Sequence, residues 1–222
     1  MPKETIVKTF LTLGALALVA LPHGAAAQDG VLFDYRDADF RMGQAFYSAS
    51  ERQQVAAGLD SALIDELGPE FVIVGDAEGA FGAGDSTEEI YLLQSQPAVA
   101  LEPFPDAPAP VLAVFKDEKA SATYRLPKEV QYQRLIGASD VNGDGMADVL
   151  LESSFMNMGQ IVSSVDVFDL SGGEAKLLQS LPEVFSDACE NPAGEQTLSA
   201  STISPGPDGL LVAESHALDC PS

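Results

Sequence analysis

Asp140-Val141-Asn142-Gly143-Asp144-Gly145-Met146-Ala147-Asp148, running straight into Val149-Leu150-Leu151, is the stretch from which the fold of this chain can be read. Carboxylate or amide oxygens stand at loop positions 1, 3, 5 and 9, and a glycine stands at position 6. Hard cations such as Ca²⁺ take about six to eight oxygen ligands, and a short loop with this spacing brings many of them together. Asp140, Asn142, Asp144 and Asp148 are the expected side-chain ligands, with Met146 contributing a backbone carbonyl. Gly145 permits the sharp turn that a β-branched residue would resist. The three carboxylates repel one another without a cation, which would couple ion binding to local folding. Mg²⁺ suits the loop less well because it gives up its waters reluctantly. A metal-free acidic turn is the alternative.

The loop is not an EF-hand. That motif needs a bidentate Glu at position 12, where this chain has Leu151, and Glu152 comes one residue late. Val149-Leu150-Leu151 also reads as a strand rather than a helix. The pattern of Asp140, Asn142, Asp144, Gly145 and Asp148 followed by an aliphatic strand resembles the calcium loop of FG-GAP and VCBS-type repeats, as in integrin-like β-propeller blades. The resemblance covers 140–151, and a degenerate copy near 76–93 lacks the asparagine and the full aspartate set. It implies Ca²⁺ at a turn between two strands of a blade, and a scaffold for adhesion or ligand binding more than for catalysis. The chain is too short for a usual seven-bladed ring, so the expectation is an open meander or another β scaffold that borrows the loop.

Outward from the loop the chain reads as mainly β, an antiparallel meander that is either propeller-blade-like or an open β domain. Upstream, apolar runs at 71–74, 90–93, 111–115, 121–126 and 130–136 read as strands. The first of these is expected to end at Gly75-Asp76, before a glycine-rich acidic loop. Downstream, 161–170 and 175–178 read as a hairpin across Ser171-Gly172-Gly173, and 198–203 and 210–213 as two further strands. Phe155-Met156-Asn157-Met158-Gly159 reads as a loop packed on the core. A faint period places aliphatic onsets at Ile90, Val149 and Leu210, about 60 residues apart. One N-terminal helix is expected at about 49–67. Ser48 and Glu51 have capping-box spacing, Val55, Leu59, Leu63 and Leu67 form a stripe, and Gly68-Pro69 supplies a stop. Prolines at 97, 103, 105, 108 and 110 make 97–110 a stiff connection, expected to be a surface loop inside one domain spanning 28–222.

The first 27 residues read as a signal peptide. Lys3 and Lys8 precede an apolar core over 10–21, too short for a membrane span, and Ala25-Ala26-Ala27 marks the cleavage site. The mature chain is expected to begin at Gln28 in the periplasm or outside the cell, without a lipid anchor. Cys189 and Cys220 are the only cysteines, and in an exported chain they are expected to pair. With 34 acidic residues against 11 Lys and Arg, the net charge is −23. That field repels nucleic acid and anionic membranes and attracts divalent cations and basic partners.

Little in the sequence speaks for catalysis. His23 lies in the signal and His216 is the only other histidine, which argues against a nucleophile–histidine site. The glycine-rich stretch 79–84 lacks the Lys-Ser/Thr of a P-loop. Carboxylate-pair hydrolysis with Glu88, Glu89 and Glu152 stays open, although the absence of Trp removes the usual sugar-stacking platform. The leading expectation is an exported, calcium-binding, non-catalytic β module for a protein or surface ligand. The alternatives are an exported carboxylate-dependent hydrolase whose calcium loop is structural, and a purely structural periplasmic protein.

Overall fold

A computed structural model describes residues 30–82, 87–102, 106–192 and 194–221. The segment 1–27, expected to be a signal peptide, lies outside the described residues, as do Gly84 and Asp85 of the expected degenerate loop copy and Pro103 and Pro105. The chain is mainly β, with 47% of residues in strands against 14% in helices, and its antiparallel sheets include a curled half-barrel. Among the described residues no helix is long and apolar enough to cross a membrane.

The N-terminal region holds strand β1 (Phe33–Asp34) and three short helices, α1 (Ala38–Met42), α2 (Ala49–Gly58) and α3 (Ser61–Leu67). The expected single helix over 49–67 is therefore two. Ser48 and Glu51 do form the capping box that starts α2. Asp60, however, accepts a hydrogen bond from the Ala62 amide at 2.8 Å and so caps a new helix. Gly58 ends α2 in a tight place, where a Cβ would lie 2.5 Å from both the Glu118 carbonyl oxygen and the Phe115 ring. The apolar stripe kept its purpose across the break. Val55, Leu63 and Leu67 are buried together, with Leu59 packed against them.

A first four-stranded meander follows: β2 (Val72–Gly79), β3 (Glu88–Gln94), β4 (Val111–Lys116) and β5 (Lys119–Arg125). Strand β2 does not end at Gly75-Asp76. It absorbs Gly75 in a bulge between Ile73 and Gly75 and continues to Gly79. The proline-rich segment is an excursion between strands that pair directly, Leu93 facing Val111.

A second run comprises β6 (Arg134–Ser139), β7 (Asp148–Asn157), β8 (Gln160–Asp169), β9 (Lys176–Asp187), β10 (Leu198–Pro205) and β11 (Leu211–Leu218). Strands β6 to β9 again form a meander, and β6–β7 carries its own bulge between Leu135 and Gly137. One edge of β10 is shared between β9, at Leu198–Ala200, and β1, at Thr202 and Ile203; its other edge holds β11. The stretch 155–159 is not a packed loop. Strand β7 runs through it, and Met158 and Gly159, both at positive φ, turn the chain directly into β8. Phe155 and Met158 are consequently 45% and 68% exposed.

Strands β3 and β4 and the first half of β7 are buried on both faces, which explains their continuous apolar runs. Leu93, Val111, Ala113 and Phe115 meet the helices α2 and α3. Their alternates Ile90, Leu92, Leu112 and Val114 meet Val149, Leu151 and Phe168 of the second run. Leu150, facing the other way, joins Val165, Ile203 and Tyr35.

Candidate metal centre

The acidic loop joins β6 to β7, immediately after the last strand pair, Ser139 with Asp148. Gly143 and Gly145 have φ of 77° and 88°, and a Cβ at either would meet nothing within 4 Å. Their glycine character answers to backbone conformation and not to crowding. The loop is braced on two sides. The Ala147 amide donates to the Ala80 carbonyl at 2.8 Å, and a Cβ at Gly209, in the short 3₁₀ turn before β11, would come within 3.3 Å of the Val141 and Asn142 carbonyl oxygens.

The polar side chains turn inward onto the loop's own backbone. Asp140 accepts from the amides of Gly143 (2.7 Å), Asp144 (3.1 Å) and Gly145 (3.0 Å). Asn142 Oδ1 accepts from the Asp144 amide at 2.9 Å, and Asp144 Oδ1 from the Met146 amide at 2.8 Å. Asp148 Oδ2 accepts from Val141 (2.9 Å) and Asn142 (3.2 Å). The Asn142 side-chain amide donates to Asp144 at 3.3 Å and, with a long contact of 3.5 Å, reaches Asp148. The four side chains are thus engaged chiefly on the loop's own amides.

Asp148 is 1% exposed, and that burial pushes its carboxyl above the usual range. The two backbone amides pull it back, while Asp169 and Asp144 push it up. Among the described residues no basic side chain pairs with Asp140, Asp144 or Asp148. The donor set is all hard oxygen, as a Ca²⁺ site requires. Its carboxylates are nevertheless engaged on amides, and among the described residues no group of three or more His, Cys, Asp or Glu stands ready to hold an ion. The residues fit the ion chemically, because a carboxylate has about four lone-pair sites and can keep an amide while facing a cation.

The other singled-out residues are dispersed. Glu88 and Glu89 begin β3, whereas Glu152 lies in β7, and no hydrogen bond or ion pair joins them among the described residues. His216 sits partly buried in β11, its Nε2 3.4 Å from Thr202 Oγ1. Cys189 and Cys220 form a disulfide, with Cα atoms 5.6 Å apart, that staples the turn after β9 to the segment after β11.

One cluster escaped the sequence reading. Arg134 Nη2 and Glu152 Oε2 form a buried ion pair at 2.5 Å, and the Tyr35 hydroxyl donates to the same oxygen at 2.6 Å. Burial and the adjacent Glu152 charge push the Tyr35 phenol well above its ordinary range. Arg134 Nη1 also donates to the carbonyls of Phe40 and Gly43, so this one guanidinium ties the N-terminal segment to the sheet. No local spacing signals a pairing between residues so far apart in the chain.

Comparison with protein-family models, with curated proteins and with solved structures returns no match.

Proposed function

We propose that the chain is an exported, calcium-stabilised, mainly β module that binds a protein or surface ligand and performs no catalysis. The observation that carries this reading is the inward-turned set of Asp140, Asn142, Asp144 and Asp148, with Asp148 buried and, among the described residues, no basic partner beside the carboxylates. Those four side chains and the Met146 carbonyl would hold the ion. The ion would supply positive charge where three carboxylates crowd one turn, and so fix the β6–β7 hairpin. Export rests on the N-terminal signal pattern and agrees with the disulfide. The resemblance of the loop to FG-GAP and VCBS-type repeats favours a binding scaffold, and the scattering of Glu88, Glu89 and Glu152 weighs against the hydrolase alternative.

The test is thermal melting of the protein from Gln28 onward, in Ca²⁺ and in chelator, paired with calorimetric titration of Ca²⁺. A free ion concentration one hundred times the dissociation constant would add about 2.7 kcal/mol. No heat at millimolar ion and coincident melting curves would sink the calcium reading. A pull-down from envelope extract then tests for the partner.

A further inference from the structure

Strand β11 has one bare edge. The Gly206 amide donates to the Leu210 carbonyl at 2.7 Å, which sets the hydrogen-bonded positions of the β10–β11 ladder at Ser204 with Val212, Thr202 with Glu214 and Ala200 with His216. Backbone groups alternate sides along a strand, so Leu211, Ala213, Ser215 and Ala217 turn their N–H and C=O groups away from β10. The Gln179 side chain takes both groups of Leu211, accepting from the amide at 2.9 Å and donating to the carbonyl at 2.8 Å. Those of Ala213, Ser215 and Ala217 meet no partner among the described residues, and Ser215 and Ala217 are exposed.

Open strand edges invite pairing with another chain, and proteins blunt them with Lys, Pro, bulges or short strands. Strand β5, at the outer edge of the first meander, carries Lys119 and Arg125 at its ends. Strand β11 has none of these devices: it keeps register with β10 from Leu211 to Leu218 and contains no Lys, Arg or Pro. Its residues also match themselves when a second β11 runs antiparallel about a two-fold axis at Ser215. Ser215 then faces its own copy, Ala213 faces Ala217, Glu214 faces His216 and Val212 faces Leu218. Every free backbone group is used, in pairs that each exchange two bonds. An axis at Glu214 would set two carboxylates opposite one another in the closer, non-hydrogen-bonded position, and Ala217 would meet Leu211, which Gln179 already holds. An axis at His216 would leave Ala213 facing Asp219, beyond the strand. Asp34 and Arg36, across β10, pair with each other at 2.8 Å and leave Glu214 and His216 as the edge's own charges.

We infer that β11 is a self-recognition edge, through which two copies of this chain pair two-fold about Ser215. Such a contact is isologous and closes on itself, so it yields a dimer and no larger assembly. A single strand pair buries less than the roughly 1,600 Å² of a standard interface, so the dissociation constant is expected at about 10–500 μM. The net charge of −23 on each copy opposes approach at long range, and physiological salt screens it beyond about 8 Å. No residue of the acidic loop takes part, so the pairing stands or falls apart from calcium.

The test is sedimentation equilibrium of the full chain from about 5 to about 1,000 μM in about 0.15 M salt. A monomer–dimer equilibrium is expected, with the amides of Ala213, Ser215 and Ala217 exchanging freely in dilute solution and protected in concentrated solution. Ser215→Pro removes a donor that β10 does not use, and should weaken the dimer at least about tenfold without lowering the melting temperature of dilute protein. Ser215→Cys should link into a covalent dimer on air oxidation, because facing Cα atoms lie about 5.5 Å apart. Ala213→Cys, which faces Ala217 and not its own copy, should not. Monomer throughout, assemblies beyond a dimer, undiminished pairing by Ser215→Pro, or equal linking by both cysteine variants would overturn the proposal. Protection of the three amides at every concentration would also overturn it, since the chain itself would then cover the edge. The concentration series uses the unaltered protein, so a poorly folding variant would not blunt the test.

Discussion

Gly75 and Leu135 meet at the seam between the two meanders: a Cβ on Gly75 would lie 2.8 Å from the Leu135 Cβ and 2.9 Å from its amide nitrogen. The backbone of β2 comes this close to β6 only because position 75 has no side chain. Each residue also sits at a bulge, Ile73/Gly75 in one hairpin and Leu135/Gly137 in the other. We expect Gly75→Ala to destabilise the protein by about 1–3 kcal/mol through overpacking against a main chain that cannot retreat. A lowered urea midpoint with unchanged slope would show it, and an unchanged midpoint would mean the seam is more pliant than drawn.

Asp140 holds three loop amides at once. Asp140→Ala strips an acceptor from Gly143, Asp144 and Gly145. Because these amides face solvent, we expect a modest loss, about 1 kcal/mol, in metal-free buffer. The larger effect should be on the ion: the variant should lose most of the Ca²⁺-dependent rise in melting temperature. Comparing both proteins with and without Ca²⁺ separates the two roles.

The Arg134–Glu152 pair is a strong stability test. Glu152→Gln removes the negative charge facing a guanidinium that is largely buried, and unpaired buried charges cost about 3–5 kcal/mol. Replacing both residues by methionine should be far less damaging than adding the two single losses, since no charge is then stranded. Denaturant midpoints of the two singles and the double provide the cycle.

Reduction of the disulfide should lower stability by about 3–4 kcal/mol in the chain-entropy account, given the 31-residue separation of Cys189 and Cys220. A Cys189→Ser, Cys220→Ser double variant melting at the same temperature as the oxidised protein would contradict this.

Acid should weaken one surface tie in a defined window. The Arg125 guanidinium, bonded to Glu66 at 2.5 Å, holds the Glu66 carboxyl below its ordinary value of 4.5. A depressed folded value means the contribution is fully present above about pH 4.5 and is lost as pH falls through the folded value. Glu66 is partly solvated, so the effect is at most about 1 kcal/mol. The stability gap between wild type and Glu66→Gln should be measurable at neutral pH and should close in strong acid.

The sequence announced what is local. Asp140 through Leu151 read correctly as a turn entering a strand, and the Ser48–Glu51 box marked a helix start. Runs such as 111–115 were legible as strands because burial on both faces leaves an unbroken apolar signature. Three features were not legible. The break at Asp60 hid inside a stripe whose spacing survives it, since α2 and α3 bury the same cluster. Strand β7 looked short because Ser153 and Ser154 interrupt its apolar run, and its pairing to Asn157 depends on β8. The Tyr35–Glu152–Arg134 cluster joins residues whose proximity only the folded topology creates.

Phe33 hydrogen-bonds into the sheet opposite Ile203, so the earliest strand waits for one of the last. A chain emerging from a ribosome or a translocation pore therefore presents Phe33, Tyr35 and Phe40 long before their aromatic and aliphatic neighbours exist. Closing so large a loop is entropically slow. The unfinished molecule is in that interval a sticky one, with these first aromatics bare to any neighbouring chain.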